Sequence, residues 1–152
     1  MTVARDAARL AALTEARRWL GTPYVHQASA IGAGADCLGV LRGVWRALYG
    51  PEPERAPDYR ADWAEMQGGE HLLAALARWL DPLPVAAAQA GDVLLWRMRR
   101  AGPAKHAAII SANFPAMRVI HAYSGHAVVE TAPPPTPPVA AFGWPPLPDG
   151  AA

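Results

Sequence analysis

The chain has 152 residues, enough for one domain with a single continuous core. It is 52% apolar and 18% charged with a formal net charge of +1, a balance that excludes intrinsic disorder and offers no basic footprint for nucleic acid or an anionic membrane. No apolar run reaches bilayer length, so no membrane span is expected.

Asp6, Arg9, Glu15, Arg17 and Arg18 interrupt residues 1–20. No secretory signal is expected there, and synthesis in the cytoplasm is. Val3, Ala7, Leu10, Leu13, Ala16 and Leu20 follow helical spacing and predict a helix over residues 3–20, stopped by Gly21-Thr22-Pro23. A loop of small residues runs from 24 to 35. A second helix is predicted over 36–49, apolar on most sides through Leu38, Val40, Leu41, Val44, Trp45 and Leu48, as a core helix is. Gly50-Pro51 ends it. Gly39 and Gly43, four apart, leave room for another backbone to approach. Residues 51–57 read as a linker, 59–67 as a short helix, and 70–80 as a helix closed by Asp81-Pro82.

Beyond that point the pattern changes to short strands, predicted over 92–98, 106–111, 117–123 and 127–131. The proline-rich stretch 133–138 cannot join a central strand, and 139–144 is expected to form a last edge strand. Helices first and strands after them predict an α+β fold, with N-terminal helices packed on an antiparallel sheet of about five to six strands. The domain core is placed at 1–131, with 132–152 as a proline-rich C-terminal segment.

The single cysteine, Cys37, follows Asp36 at the start of the second helix. A thiol at a helix N-terminus faces free backbone N–H groups and the positive end of the helix dipole, which favour thiolate. The same groups can stabilise an oxyanion. Asp36 has the chemistry of a helix cap. A nucleophilic cysteine needs a base and the base needs an orienting partner. His71 and His126 fall on a surface-type helix and a hairpin turn, where solvent is their expected partner. His106 begins one strand and His121 ends the next. A hairpin folded about Asn113-Phe114 sets these two directly opposite each other, and a one-residue slip would separate them. Zinc held by Cys37, His106 and His121 is the alternative. The isolated cysteine and the lack of closely spaced ligands weigh against it.

Leu20-Gly21-Thr22-Pro23-Tyr24, Asp36-Cys37-Leu38-Gly39, Gly91-Asp92-Val93-Leu94, His106-Ala107-Ala108-Ile109 and Ile120-His121-Ala122 occur in that order. Together they resemble the NlpC family of papain-like cysteine peptidases, which hydrolyse peptidoglycan stem peptides. His26-Gln27-Ala28-Ser29 and the stretch from Leu38 to Trp45 look more like its phage-tail and gene-transfer-agent branch.

The resemblance implies a papain-like fold in which Cys37 is the nucleophile, His106 the general base and then acid, and His121 the residue that orients His106. Tyr24 would stand beside the nucleophile to donate to the oxyanion or bind substrate. Asp36 would help hold a substrate amine, and His26 would line the site where the family usually has Trp. The implied reaction is attack on the D-glutamyl–diaminopimelate amide, giving an acyl-enzyme that water resolves, with no cofactor and no metal. Implied partners are the stem peptide and phage-like tail-tip or hub proteins, with action on the periplasmic wall. A non-catalytic hub component and an amidase or acyltransferase on the same fold are the alternatives. The pattern departs at Leu38, where many members carry a serine that helps bind the substrate's terminal amine.

Overall fold

The computed structural model describes residues 3–53, 71–97 and 104–149. The short helix expected over 59–67 lies outside them. Among the described residues three α-helices, α1 (Val3–Arg18), α2 (Cys37–Tyr49) and α3 (His71–Trp79), pack with a six-stranded sheet, and a two-stranded ladder sits in the loop before α2. The α+β architecture expected from the element order is the one observed.

The ladder consists of β1 (Ser29–Ala30) and β2 (Gly34–Ala35), turned at Gly32 with φ of 77°. The large sheet comprises β3 (Asp81–Leu83), β4 (Val93–Arg97), β5 (Ala104–Ala112), β6 (Arg118–Ala122), β7 (Val128–Thr131) and β8 (Ala140–Gly143). Its order is β3-β8-β4-β5-β6-β7, with every neighbouring pair antiparallel.

The strand expected at an edge near 139–144 is β8, and it lies inside the sheet, between β3 and β4. Its sequence, Ala-Ala-Phe-Gly, contains no proline and gives up no ladder hydrogen bond. The edge belongs instead to β3, where Pro82 is tolerated because one side of an edge strand needs no donor. Trp144, just past β8, is buried and donates to the Gly91 carbonyl at 2.8 Å. The Tyr49 hydroxyl donates to the Pro145 carbonyl. Residues after 131 are therefore stitched to both a helix and the sheet.

α1 buries a different face from the one its larger residues mark. Ala8, Arg9, Ala12 and Ala16 are buried, followed by Trp19, whereas Val3 and Leu10 are 86% and 69% exposed. Small side chains let the helix axis come close to its neighbours, which large ones would hold off. Arg9 Nε then reaches both carboxylate oxygens of Asp92 at 3.1 Å. Asp92 immediately precedes β4, so this buried pair pins α1 to the sheet.

α2 is the central helix. Val40, Leu41 and Val44 enter the core with Val93, Leu95, Ile109, Ile120 and Phe142. The two glycines predicted to admit a close neighbour do so in different ways. A Cβ at Gly39 would run into the Ala28 carbonyl, and one at Gly43 into the Trp19 ring. The helix ends at Gly50, whose φ of 94° suits a residue without a side chain.

Candidate active site

The loop from Gly21 to Asp36 carries the first part of the site, and the sheet holds that loop in place. Gly21 donates to the Val128 carbonyl at 2.9 Å, and Val128 donates back to the Thr22 carbonyl at 2.8 Å. Ala35 donates to the Pro23 carbonyl at 3.0 Å. Tyr24 is thereby suspended between the start of β7 and the end of β2. Below it, Ser29 Oγ donates to the Gly39 carbonyl, and Arg46 donates to both Ser29 Oγ and its carbonyl. The loop is thus bonded to the first turn of α2 and, through Arg46, to the third.

Asp36 is the N-cap of α2, with extended backbone and a carboxylate that is itself buried. Its Oδ1 accepts from the Gly39 amide and its Oδ2 from the Gln27 amide, both at 2.7 Å. Capping, the simpler of its two expected roles, is what the geometry displays. His26 is half-buried with Nδ1 3.9 Å from Asp36 Oδ2. Burial, then the charges of Asp36 and Cys37, raise the Tyr24 hydroxyl above its ordinary value. A phenol that feels both neighbours and keeps its proton is equipped to donate a hydrogen bond.

Cys37 is the first residue of α2. Its thiol donates to the Lys105 carbonyl at 3.8 Å, and the backbone amides of Ala107, Leu38 and Cys37 itself favour its charged form. It therefore rests against β5 at the residue before His106. The amides pull its pKa down as expected of a helix start, but they lose. Burial, then the Asp36 charge, push the thiol up to about 11. The resting group is a thiol, contrary to the thiolate expected from the helix dipole, because removing a charge from water outweighs a few partial charges.

His106 and His121 come together with His106 Nε2 2.8 Å from His121 Nδ1 and their rings edge to face. Both are buried. They are not directly opposite, as a turn centred on 113–114 would place them. Ile109 pairs with Ile120, and continuing that register sets Ala108 across from His121. The observed turn lies further along, and β5 is irregular between Ile110 and Ala112. The displacement amounts to two residues, so the histidines become diagonal neighbours on the same face. Burial, then the charge of His121, lower His106 to about 4, and burial also lowers His121. Both rings are neutral near pH 7.

Two further participants carried no mark in the sequence. Thr131, at the end of β7, places Oγ1 2.9 Å from His121 Nε2. Trp96 is the cross-strand partner of His106, with ring centroids 6.1 Å apart. Strand alternation gives the only clue to either, and it requires a known register. Of the solvated pair expected, His126 is exposed and stacks on Tyr123. The two imidazoles bond to each other instead of converging on a third centre, and no metal-holding group of three or more His, Cys, Asp or Glu occurs among the described residues.

The six residues singled out from the sequence thus fall in one region: a thiol at a helix start that touches the residue before His106, a buried imidazole pair, a phenol, a capping carboxylate and the half-buried His26 beside that carboxylate. Such a set can supply a nucleophile, a proton acceptor and hydrogen-bond donors for an oxyanion.

The fold is similar to that of NlpC/p60 domains. The chain aligns with the NlpC/p60 domain of the peptidoglycan hydrolase SagA at 26% identity and a TM-score of 0.60, covering 88% of this chain and 97% of that one. NlpC1 from Trichomonas vaginalis aligns at 17% identity and a TM-score of 0.60, over 91% of this chain and 43% of that one. A lipoprotein-like member of the NLP/P60 family from Staphylococcus aureus aligns at 19% identity and a TM-score of 0.55, over 90% and 41%. The chain spans less than half the length of the latter two. No protein-family model and no curated protein matches the sequence.

Proposed function

We propose that the chain is a cysteine peptidase that hydrolyses an amide bond in the stem peptides of peptidoglycan. The observation that carries this reading is the placement of Cys37 at the start of α2, with its thiol on the carbonyl of Lys105 immediately before His106, and His106 bonded to His121 at 2.8 Å. Similarity to an NlpC/p60 domain of a peptidoglycan hydrolase over 88% of the chain supports the substrate class.

With Nε2 of His106 taken by His121, Nδ1 is the nitrogen left for the thiol. Catalysis begins when the Cys37 side chain turns from the Lys105 carbonyl to this nitrogen. Proton transfer to Nδ1 then accompanies attack of sulfur on the substrate carbonyl, so charge appears only as the bond forms. The Cys37 amide at the helix start and the Tyr24 hydroxyl are the donors for the developing oxyanion. His106 returns the proton to the leaving amine, and water resolves the acyl-enzyme by the reverse sequence.

The finer reading places the enzyme in a phage-like tail, docked on tail-tip or hub proteins, cutting the D-glutamyl–diaminopimelate bond of the periplasmic wall during entry. The ordered motifs around His26 and from Leu38 to Trp45 support it. Leu38 lines an apolar groove with Leu41, Trp45 and Trp144, so the position after the nucleophile contributes packing where a serine would offer a hydroxyl. The test is incubation with Gram-negative peptidoglycan and mass spectrometry of the products. Released stem-peptide fragments that disappear with Cys37→Ala support the assignment, and undiminished release by that variant overturns it.

A further inference from the structure

We propose that Thr131 is a positioning residue that sets the proton arrangement of the two histidines, an inference that rests on Cys37 acting as nucleophile and His106 as its base. Thr131 Oγ1 lies 2.9 Å from His121 Nε2 and donates to the Ala132 carbonyl at 2.7 Å. A hydroxyl carries one proton. With that proton committed to Ala132, a carbonyl that can only accept, Oγ1 must accept from His121 Nε2–H. His121 is then protonated on Nε2 and bare on Nδ1. That bare nitrogen, 2.8 Å from His106 Nε2, accepts His106 Nε2–H. His106 Nδ1 is left with a free lone pair, which is the form a base needs.

The same ring contacts can also run backwards. Thr131 would donate to His121 Nε2, His121 Nδ1–H would donate to His106 Nε2, and His106 would carry its proton on Nδ1. In that arrangement the nitrogen left for Cys37 is blocked. Both arrangements satisfy the histidine pair, and they differ at Thr131, whose bond to Ala132 selects the productive one. Tautomer choice matters here because burial holds both rings neutral near pH 7. At 8% and 6% exposure, the rings have little access to water that would even out the two states. When Cys37 reacts, its S–H bond breaks and an N–H bond forms at His106 Nδ1. The existing Nε2–H stays bonded to His121, which lowers the energy of the imidazolium without receiving the proton.

The test combines kinetics with nitrogen NMR of protein carrying 15N-labelled histidine. In the wild type, His106 and His121 are both expected to be protonated on Nε2 and bare on Nδ1. Thr131→Val keeps the β-branched shape of the strand residue. It is expected to mix the tautomers and lower kcat about tenfold with KM unchanged, while Thr131→Ser restores both. A Thr131→Val protein with wild-type kcat and wild-type tautomers overturns the inference, as does an Nδ1-protonated His106 in the wild type. Absence of hydrolysis by the wild type would count instead against the peptidase reading, and the spectra of the free protein would still decide the proton arrangement.

Discussion

The Gln27 amide donates to Asp36 Oδ2 at 2.7 Å from a backbone with φ of 66°, a left-handed conformation that a non-glycine residue seldom adopts. The other oxygen of the same carboxylate caps α2 through Gly39. One buried side chain therefore holds both the loop before the nucleophile and the helix that presents it. Asp36→Ala is expected to lower stability by about 2 kcal/mol, combining loss of a cap with loss of the loop bond. Asp36→Asn, which keeps one acceptor, is expected to lose about half of that. Urea unfolding at neutral pH measures both, and an unchanged midpoint in Asp36→Ala would contradict the double role.

The site is expected to work as a general-base system with an uncharged resting state. His106, lowered to about 4, is a competent acceptor only while His121, also lowered, stays unprotonated. Thus kcat/KM is expected to persist at pH 6.5, to fall below it as first His121 and then His106 take up protons, and to be lost by about 4. An ordinary histidine would lose activity near 6.5. Cys37, raised to about 11, is expected to react with iodoacetamide at a rate that climbs steadily through pH 8 to 10. A flat alkylation rate between pH 5 and 8 would reveal a preformed thiolate–imidazolium pair and refute this picture.

Burial of the histidines also makes stability depend on pH. The folded His106 binds its proton less readily than the unfolded one, whose value is near 6.5. Its contribution is therefore fully present above about 6.5 and disappears as pH falls through about 4. A shift of this size corresponds to roughly 3 kcal/mol. Denaturation at pH 7 and pH 4 should show that loss. His106→Gln, which has no group titrating in this window, should flatten it, and equal slopes in the two proteins would place the titration elsewhere.

Local chemistry made much of this site readable in the sequence. Asp36-Cys37 after a run of small residues marks a helix start because a capping carboxylate and a breaker-rich loop have few other uses. His106 and His121 declare themselves by standing at the ends of apolar strands. What stayed hidden is set by long-range packing. β3 is obscured by Pro82, which local propensity rejects and an edge position accepts. The buried face of α1 is made of alanines, which carry a weaker hydrophobic signal than the exposed Val3 and Leu10. Thr131 looks like any strand residue until the register places it on His121. The state of the thiol depends on burial, which no neighbouring residue in the sequence announces.

The insertion of β8 between β3 and β4 has a consequence for biosynthesis. A ribosome delivers β3 to β7 before Ala140–Gly143 emerges, so the nascent sheet waits with β4 unpaired along one side and β3 without a neighbour. During that interval the apolar Val93-Leu94-Leu95-Trp96 presents open hydrogen-bonding groups, the kind of edge on which chains associate with one another. The last of the described strands to be made is the one that closes it. Premature termination before Ala140 would thus leave a species whose fate is aggregation, even though every residue assigned to catalysis has already been synthesised.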